Sequence, residues 1–276
     1  MFEGLTQVLS ILKSGATMDE LYLRIKAVDL SQPMGILTPP FPGGRPMRIV
    51  YTNRISGDGY GQQEYTFTTH TGTHLDGPMH FDPKGGDLAS LPMTKLFGEG
   101  VIADVSEVGE YGIYTPKHIL SKVEVKKGDI LIIHTHFHRH YTGCSDPDEE
   151  AYFYKHPGPT KEFRDWCAEM KFKWLGIDAG SQDHPMNIAD LRKLRPKFVA
   201  EFEKKHGKRR EEIFPDDMEH LMHWSLFAKP NEIIHAENVG GDIDQVLNRR
   251  AMIGVFPLKV KDGESSPCRV VAFLEE

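Results

Sequence analysis

Cysteine is scarce in this chain: Cys144, Cys167 and Cys268 are the three in 276 residues, and no CxxC pair occurs. A disulfide scaffold and a thiolate-type zinc knot are therefore excluded. The odd count leaves a thiol over whatever the others do, so a reducing, cytoplasmic setting is expected. Long apolar runs are missing as well. The N-terminal stretch MFEGLTQVLSILK is interrupted by Glu3 and Lys13 and has neither the apolar core nor the cleavage site of a signal peptide, and no segment reaches membrane-spanning length. Nor is there an excess of positive charge. Lys and Arg number 33 against 40 Asp and Glu, a net charge of −7, and the basic run KKHGKRR at 204–210 leads straight into Glu211 and Glu212. A phosphate-tracking surface is not expected, so nucleic acid and membrane are both unexpected partners.

What the chain does hold is ample material for a core. Hydrophobic residues make up 39% and charged residues 26%, with 15 Phe and 9 Tyr, which places the chain among ordered globular proteins and not among disordered ones. Residues 1–27 read as an N-terminal helical extension with Leu5, Val8, Leu9 and Leu12 on one face. Residues 28–276 read as one domain. Its opening segment, DLSQPMGILTPPFPGGRP, is a stiff proline-bearing loop, and the β-branched and aromatic runs RIVYT and EYTFTTHTGTH read as strands. Further strands are expected at GEGVIADVSEV, GDILIIHTHFH, FKWLGIDAG, IIHAE, AMIGVFPLKV and RVVAFL, and helices from Pro116, in TKEFRDWCAEMK, between 187 and 212, and in DDMEHLMHWSLFAK. The polar, proline-bearing stretch 141–160 reads as an inserted surface loop. Strands do not alternate regularly with helices, which points to an α/β fold with a mixed β core and surrounding helices, not a doubly wound sheet.

Histidine is the unusual feature. The string HTGTHLDGPMH puts His70, His74, Asp76 and His80 at offsets of 0, 4, 6 and 10. Gly72 and the turn at Asp76-Gly77-Pro78 argue against a helix, and on an extended chain even offsets place all four side chains on one face. Imidazole nitrogen with carboxylate oxygen is a donor set for a divalent metal, zinc or manganese. A second cluster, HTHFHRH, carries His134, His136, His138 and His140. It could be another metal site, but with no Cys, Asp or Glu within the string to complete a ligand set it reads as a strand end beside the same pocket, with His136 able to contact substrate. The three tryptophans, Trp166, Trp174 and Trp224, read as core or interface aromatics.

The string HTGTHLDGPMHF resembles the signature of the metal-dependent cyclase-like hydrolases, the group of bacterial kynurenine formamidase and isatin hydrolase. DLSQPMGILTPPFPGG, KKGDILIIHTHF, LGIDAGSQD, HWSLFAKPNEIIHAENV and FPLKVKDGESSPCRVVA resemble further segments of that family in the same order. The resemblance implies a cyclase-like fold of the swivelling β/β/α type in which His70, His74 and Asp76 bind metal and His80 is the acid/base residue. It implies further that His223 and Glu237 complete the ligands of one or two ions, with His220 competing for the place of His223. The interval between His223 and Glu237 is longer than the family's, by an insertion near Lys229-Pro230. Phe41 in PPFPGG stands where the family places an aromatic residue over the substrate, and Arg45 lies just beyond it. The implied activity is opening of a small carbon–nitrogen amide bond in a small molecule, an aryl formamide, lactam or cyclic imide. A homodimer or homotetramer is expected, since the N-terminal helix and the 141–160 insertion are available to make subunit contacts. Ligand identity alone does not fix a reaction, so a lyase, an oxidoreductase and a non-catalytic metal-binding relative are the competing readings.

Overall fold

Strand β7, Ile130–His134, is apolar at every position but its last, because both of its faces are covered. Ile130 and Ile132 pack into one cluster with Trp174, Ile234 and Ile253; Leu131 and Ile133 pack into another with Phe163, Cys167 and Met222. This two-sided burial defines the layers of the protein, whose computed structural model describes residues 25–275. The twelve strands are β1 (Ile25–Asp29), β2 (Arg48–Asn53), β3 (Gln62–Thr66), β4 (His74–Asp76), β5 (Phe97–Asp104), β6 (Ile113–Tyr114), β7, β8 (Gly158–Pro159), β9 (Trp174–Ile177), β10 (Ile234–Glu237), β11 (Arg249–Pro257) and β12 (Ser265–Glu275).

Eight of them form one sheet in the order β1-β12-β11-β5-β7-β9-β10-β4, and β4 also pairs with β12, so the sheet closes on itself as a mixed barrel. The run β5, β7, β9, β10 is parallel, while β4, β11 and β12 join antiparallel. Closure pairs β4 on both of its sides and leaves β1 as an edge strand alongside β12. The single α/β domain with a mixed β core is as the sequence pattern indicates. Strand β1 starts at Ile25, three residues before the boundary expected at 28. The amphipathic helix expected before it lies outside the described residues.

The segment 141–160 departs from expectation. It is no surface loop: the helix Glu149–Tyr154 buries Tyr152, Phe153 and Tyr154, and Tyr141 and His156 are buried beside it. Asp148 caps this helix by accepting from the Ala151 N–H at 3.0 Å, and three consecutive aromatics outweigh the polar residues around them. Among the tryptophans, Trp174 is fully buried in the barrel and Trp224 is exposed. Because Ile132 is wholly buried in the central strand, Ile132→Ala is expected to lower unfolding free energy by about 2–5 kcal/mol. Urea denaturation checks this, and a loss well under 1 kcal/mol would mean the barrel interior is not the stabilising core.

Candidate active site

The site begins with a three-residue strand. β4 lies antiparallel to β10 with His74 opposite Glu237 and Asp76 opposite His235, so directly paired residues share one face. His74 and Asp76 therefore point the same way as Glu237. His70 and His80 arrive by other means. Gly72, at φ +68, turns the chain between His70 and the strand, and Gly77-Pro78 leads into a single 3-10 turn, Pro78–His80. The expected extended run with four residues on one face is thus corrected: the side chains converge through two turns flanking a short strand.

His223 comes from the helix Leu221–Leu226, whose N-terminus is capped by Asp183. That carboxylate accepts from the Met222 N–H at 2.8 Å and lies 2.6 Å from His223 Nδ1, turning Nε2 inward. His223 Nε2 then stands 3.4 Å from Glu237 Oε1 and 3.7 Å from Asp76 Oδ2. Asp76 Oδ1 is 2.9 Å from His70 Nδ1 and 3.4 Å from His74 Nε2. Glu237 is held by the Gln182 N–H at 2.8 Å. Lys229-Pro230 lies in the turn after the helix, and Glu237 stands in register with His74. His220 lines the same cavity but stands at the helix start with φ +47, its ring beside Phe81. Of the two competitors, His223 faces the carboxylates.

Electrostatics follow from crowding. Burial alone would raise the Asp76 carboxyl, yet His70 and His74 hold it well below the usual carboxylate range. Burial would lower His223, but Asp183, Asp76 and Glu237 push it well above its ordinary value, and against the same opposition Asp76 and Glu264 carry His70 up to about 10. The carboxylates thus demand positive charge at one point. His74 Nε2 and Asp76 Oδ2 are buried with no donor within hydrogen-bond distance, and Asp76 Oδ1 has the His70 ring nitrogen beside it at 2.9 Å. Unpaired buried acceptors aimed at one place are costly, and a divalent cation satisfies all of them together. The donor set His70, His74, Asp76, His223 and Glu237 therefore fits a metal ion.

The cluster lines a cavity of about 350 Å³ together with Phe41, Phe81, Phe153 and Ile188. Phe41 meets Phe153 edge to face at 5.9 Å between centroids. Arg45 is exposed and does not line this cavity, and neither does any residue from 134 to 140. The second histidine cluster is consequently not a strand end beside the same pocket. Nor do its side chains alternate along a strand: β7 ends at His134, His136 has φ +70, and Phe137–His140 is a 3-10 turn.

Residues 28–184 match the family model described as "Putative cyclase". The chain belongs to the cyclase family. Kynurenine formamidase of Bacillus anthracis is 25% identical over 248 residues, covering 89% of this chain and 96% of that protein. Isatin hydrolase A from Labrenzia aggregata, solved with benzyl benzoate, superposes with a TM-score of 0.72 at 20% identity, covering 99% of this chain and all of that one. Isatin hydrolase A from Ralstonia solanacearum gives 0.72 at 20% identity, covering 100% and 98%. These two likenesses establish the shared fold.

Three residues beside the cluster were not singled out in the sequence. Asp183 closes the quoted segment LGIDAGSQD, and an acid just before a turn is a signal that could have found it. His235 lies abreast of Asp76, its ring 4.7 Å from that of His223, and burial pushes it down to about 3. Glu264 lies just before β12, with Oε2 2.8 Å from His80 Nδ1 and 3.0 Å from His70 Nε2. It sits 184 residues beyond His80. No local pattern marks it, because the barrel closure between β4 and β12 is what brings it in.

Proposed function

We propose that this cyclase-family protein is a metal-dependent hydrolase that opens a small carbon–nitrogen amide bond, in an aryl formamide, a lactam or a cyclic imide. The observation that carries the reading is the convergence of buried imidazoles and carboxylates, with His74 Nε2 and Asp76 Oδ2 left without a donor, on a cavity that Phe41, Phe81 and Phe153 also line. His70, His74, Asp76, His223 and Glu237 would hold one or two ions, zinc or manganese by donor type. A divalent ion bound there supplies a Lewis acid that polarises a carbonyl and acidifies water.

The protein's own groups do the rest. His80 has Nδ1 turned to Glu264, so Nε2 is the atom left to take a proton from water and return it to the leaving nitrogen. Phe41, Phe81 and Phe153 receive an aryl group and keep bulk water from the reacting carbonyl. The products are a carboxylate and an amine. A steady-state screen of metal-replete protein over aryl formamides, lactams and cyclic imides tests the reading. Turnover abolished by chelation and restored by zinc or manganese is expected, and no turnover of any of the three classes would reject it.

Phe41 gives the substrate side its own test. Losing an aromatic contact of about 1.4 kcal/mol or more corresponds to roughly tenfold in binding. Phe41→Ala is therefore expected to raise KM about tenfold with little change in kcat. Unchanged constants in an active enzyme would remove Phe41 from the substrate site.

Assembly as a homodimer or larger is supported by the β2–β3 hairpin. Its strands pair with each other as a separate two-stranded sheet, and Val50, Tyr51, Ile55, Tyr60 and Tyr65 in and between them are exposed. An apolar hairpin of this kind suits a contact between copies. Light scattering at micromolar concentration should give at least twice the 31.3 kDa chain mass. A monomer would contradict it. Small-molecule chemistry and a cytoplasmic setting complete the proposal; among the described residues no helix is long and apolar enough to cross a membrane.

A further inference from the structure

Away from the catalytic cavity, three neighbouring parallel strands end at one level. Asp104 on β5 is in register with His134 on β7, and Asp178 follows Ile177, which is in register with Ile133. Each of the two buried rings here has its Nδ1 fixed by its own carboxylate. His134 Nδ1 lies 3.0 Å from Asp104 Oδ1, and His138 Nδ1 lies 2.9 Å from Asp178 Oδ2. Asp178 is itself locked, its oxygens accepting from the Thr135 N–H and hydroxyl at 2.7 and 2.6 Å and from the His136 N–H at 2.9 Å.

Both rings then present Nε2 to the same third carboxylate. His134 Nε2 is 3.1 Å from Asp244 Oδ1 and His138 Nε2 is 3.5 Å from Asp244 Oδ2. A carboxylate that fixes Nδ1–H leaves Nε2 as the metal-binding lone pair, the arrangement that supports histidine ligands in metal sites. With each Nδ1–H donated to its own carboxylate, the two Nε2 lone pairs and the Asp244 carboxylate are all acceptors, and protons or a cation must lie among them. Two protons would set two imidazolium rings 5.3 Å apart, centroid to centroid, whereas one divalent cation serves all three acceptors at once. His136 brings a third imidazole to the same place, 5.7 and 5.6 Å from the other two rings, on the exposed side.

We propose that His134, His138 and Asp244 form a second divalent-cation site, of the nitrogen–oxygen type that takes zinc and its transition-metal neighbours. The sequence alone argues against a separate site at this cluster because its acids lie far along the chain: Asp104 is 30 residues from His134, and Asp244 is 110. Asp244 belongs to the short turn Ile243–Val246 between β10 and β11. A cation here clamps that connection to the ends of β5 and β7, a structural role independent of the hydrolytic reading.

Zinc chloride titrated into the chelator-stripped full chain tests the proposal. One equivalent should persist in His74→Ala, disappear in His138→Ala, and bind at least about tenfold more weakly in Asp244→Ala. The Asp244 side chain is 59% exposed, so that variant keeps its fold and decides the matter should His138→Ala fail to fold. Equal zinc stoichiometry and affinity in wild type and Asp244→Ala would show that the rings hold protons alone and would overturn the site. So would loss of all zinc in His74→Ala.

Discussion

Asp76→Asn is expected to retain the fold, to lose the metal of the catalytic cavity, and to fall at least about 100-fold in kcat/KM, since mere supporting partners of metal ligands already cost up to that much. Asp76 is the hub of the cluster. One of its oxygens faces His70 at 2.9 Å and His74 at 3.4 Å, and the other faces His223 at 3.7 Å with no donor within hydrogen-bond distance. The amide keeps the volume but replaces an anionic oxygen with an NH₂ group aimed at the point where a cation belongs. Elemental analysis beside circular dichroism separates this from unfolding. Undiminished metal in Asp76→Asn would take the ion away from this cluster.

The second large effect belongs to His80. Removing a positioned acid/base group costs roughly two to four orders of magnitude in turnover. His80→Ala is expected to show that loss while keeping its metal, because His80 faces Glu264 and stands beside the ligand set. Its ring centroid is 4.3 Å from that of His70 and 5.9 Å from that of His223. Metal content and kcat measured on the same preparation check both halves. If metal is lost in step with activity, His80 is a ligand and another group carries the proton.

How far the site could be read before the structure depended on sequence distance. His70, His74, Asp76 and His80 fall within eleven residues, and their donor chemistry was visible, although strand alternation aligns only His74 and Asp76, and turns at Gly72 and Gly77-Pro78 bring in His70 and His80. Asp183 and Glu264 reach the site through tertiary contacts, a helix cap and a barrel closure, which leave no local period. The same reason hid the acids around His134 and His138. In the fold, the parallel strands were legible because burial on both faces writes continuous apolar runs such as ILII. Segment 141–160 was misjudged because its prolines and acids dominate the composition while Tyr152, Phe153 and Tyr154 decide the packing.

The central claim is that this cluster adds water across a carbon–nitrogen amide bond with a bound divalent ion. Isotope incorporation tests it most directly: metal-replete and chelator-stripped protein are each given an aryl formamide and a cyclic imide in water labelled with heavy oxygen, and the products are weighed by mass spectrometry. One labelled oxygen in the carboxylate product, formed by the metal-replete protein and not by the stripped one, is the predicted result. Product without label, or equal turnover with and without metal, would contradict it.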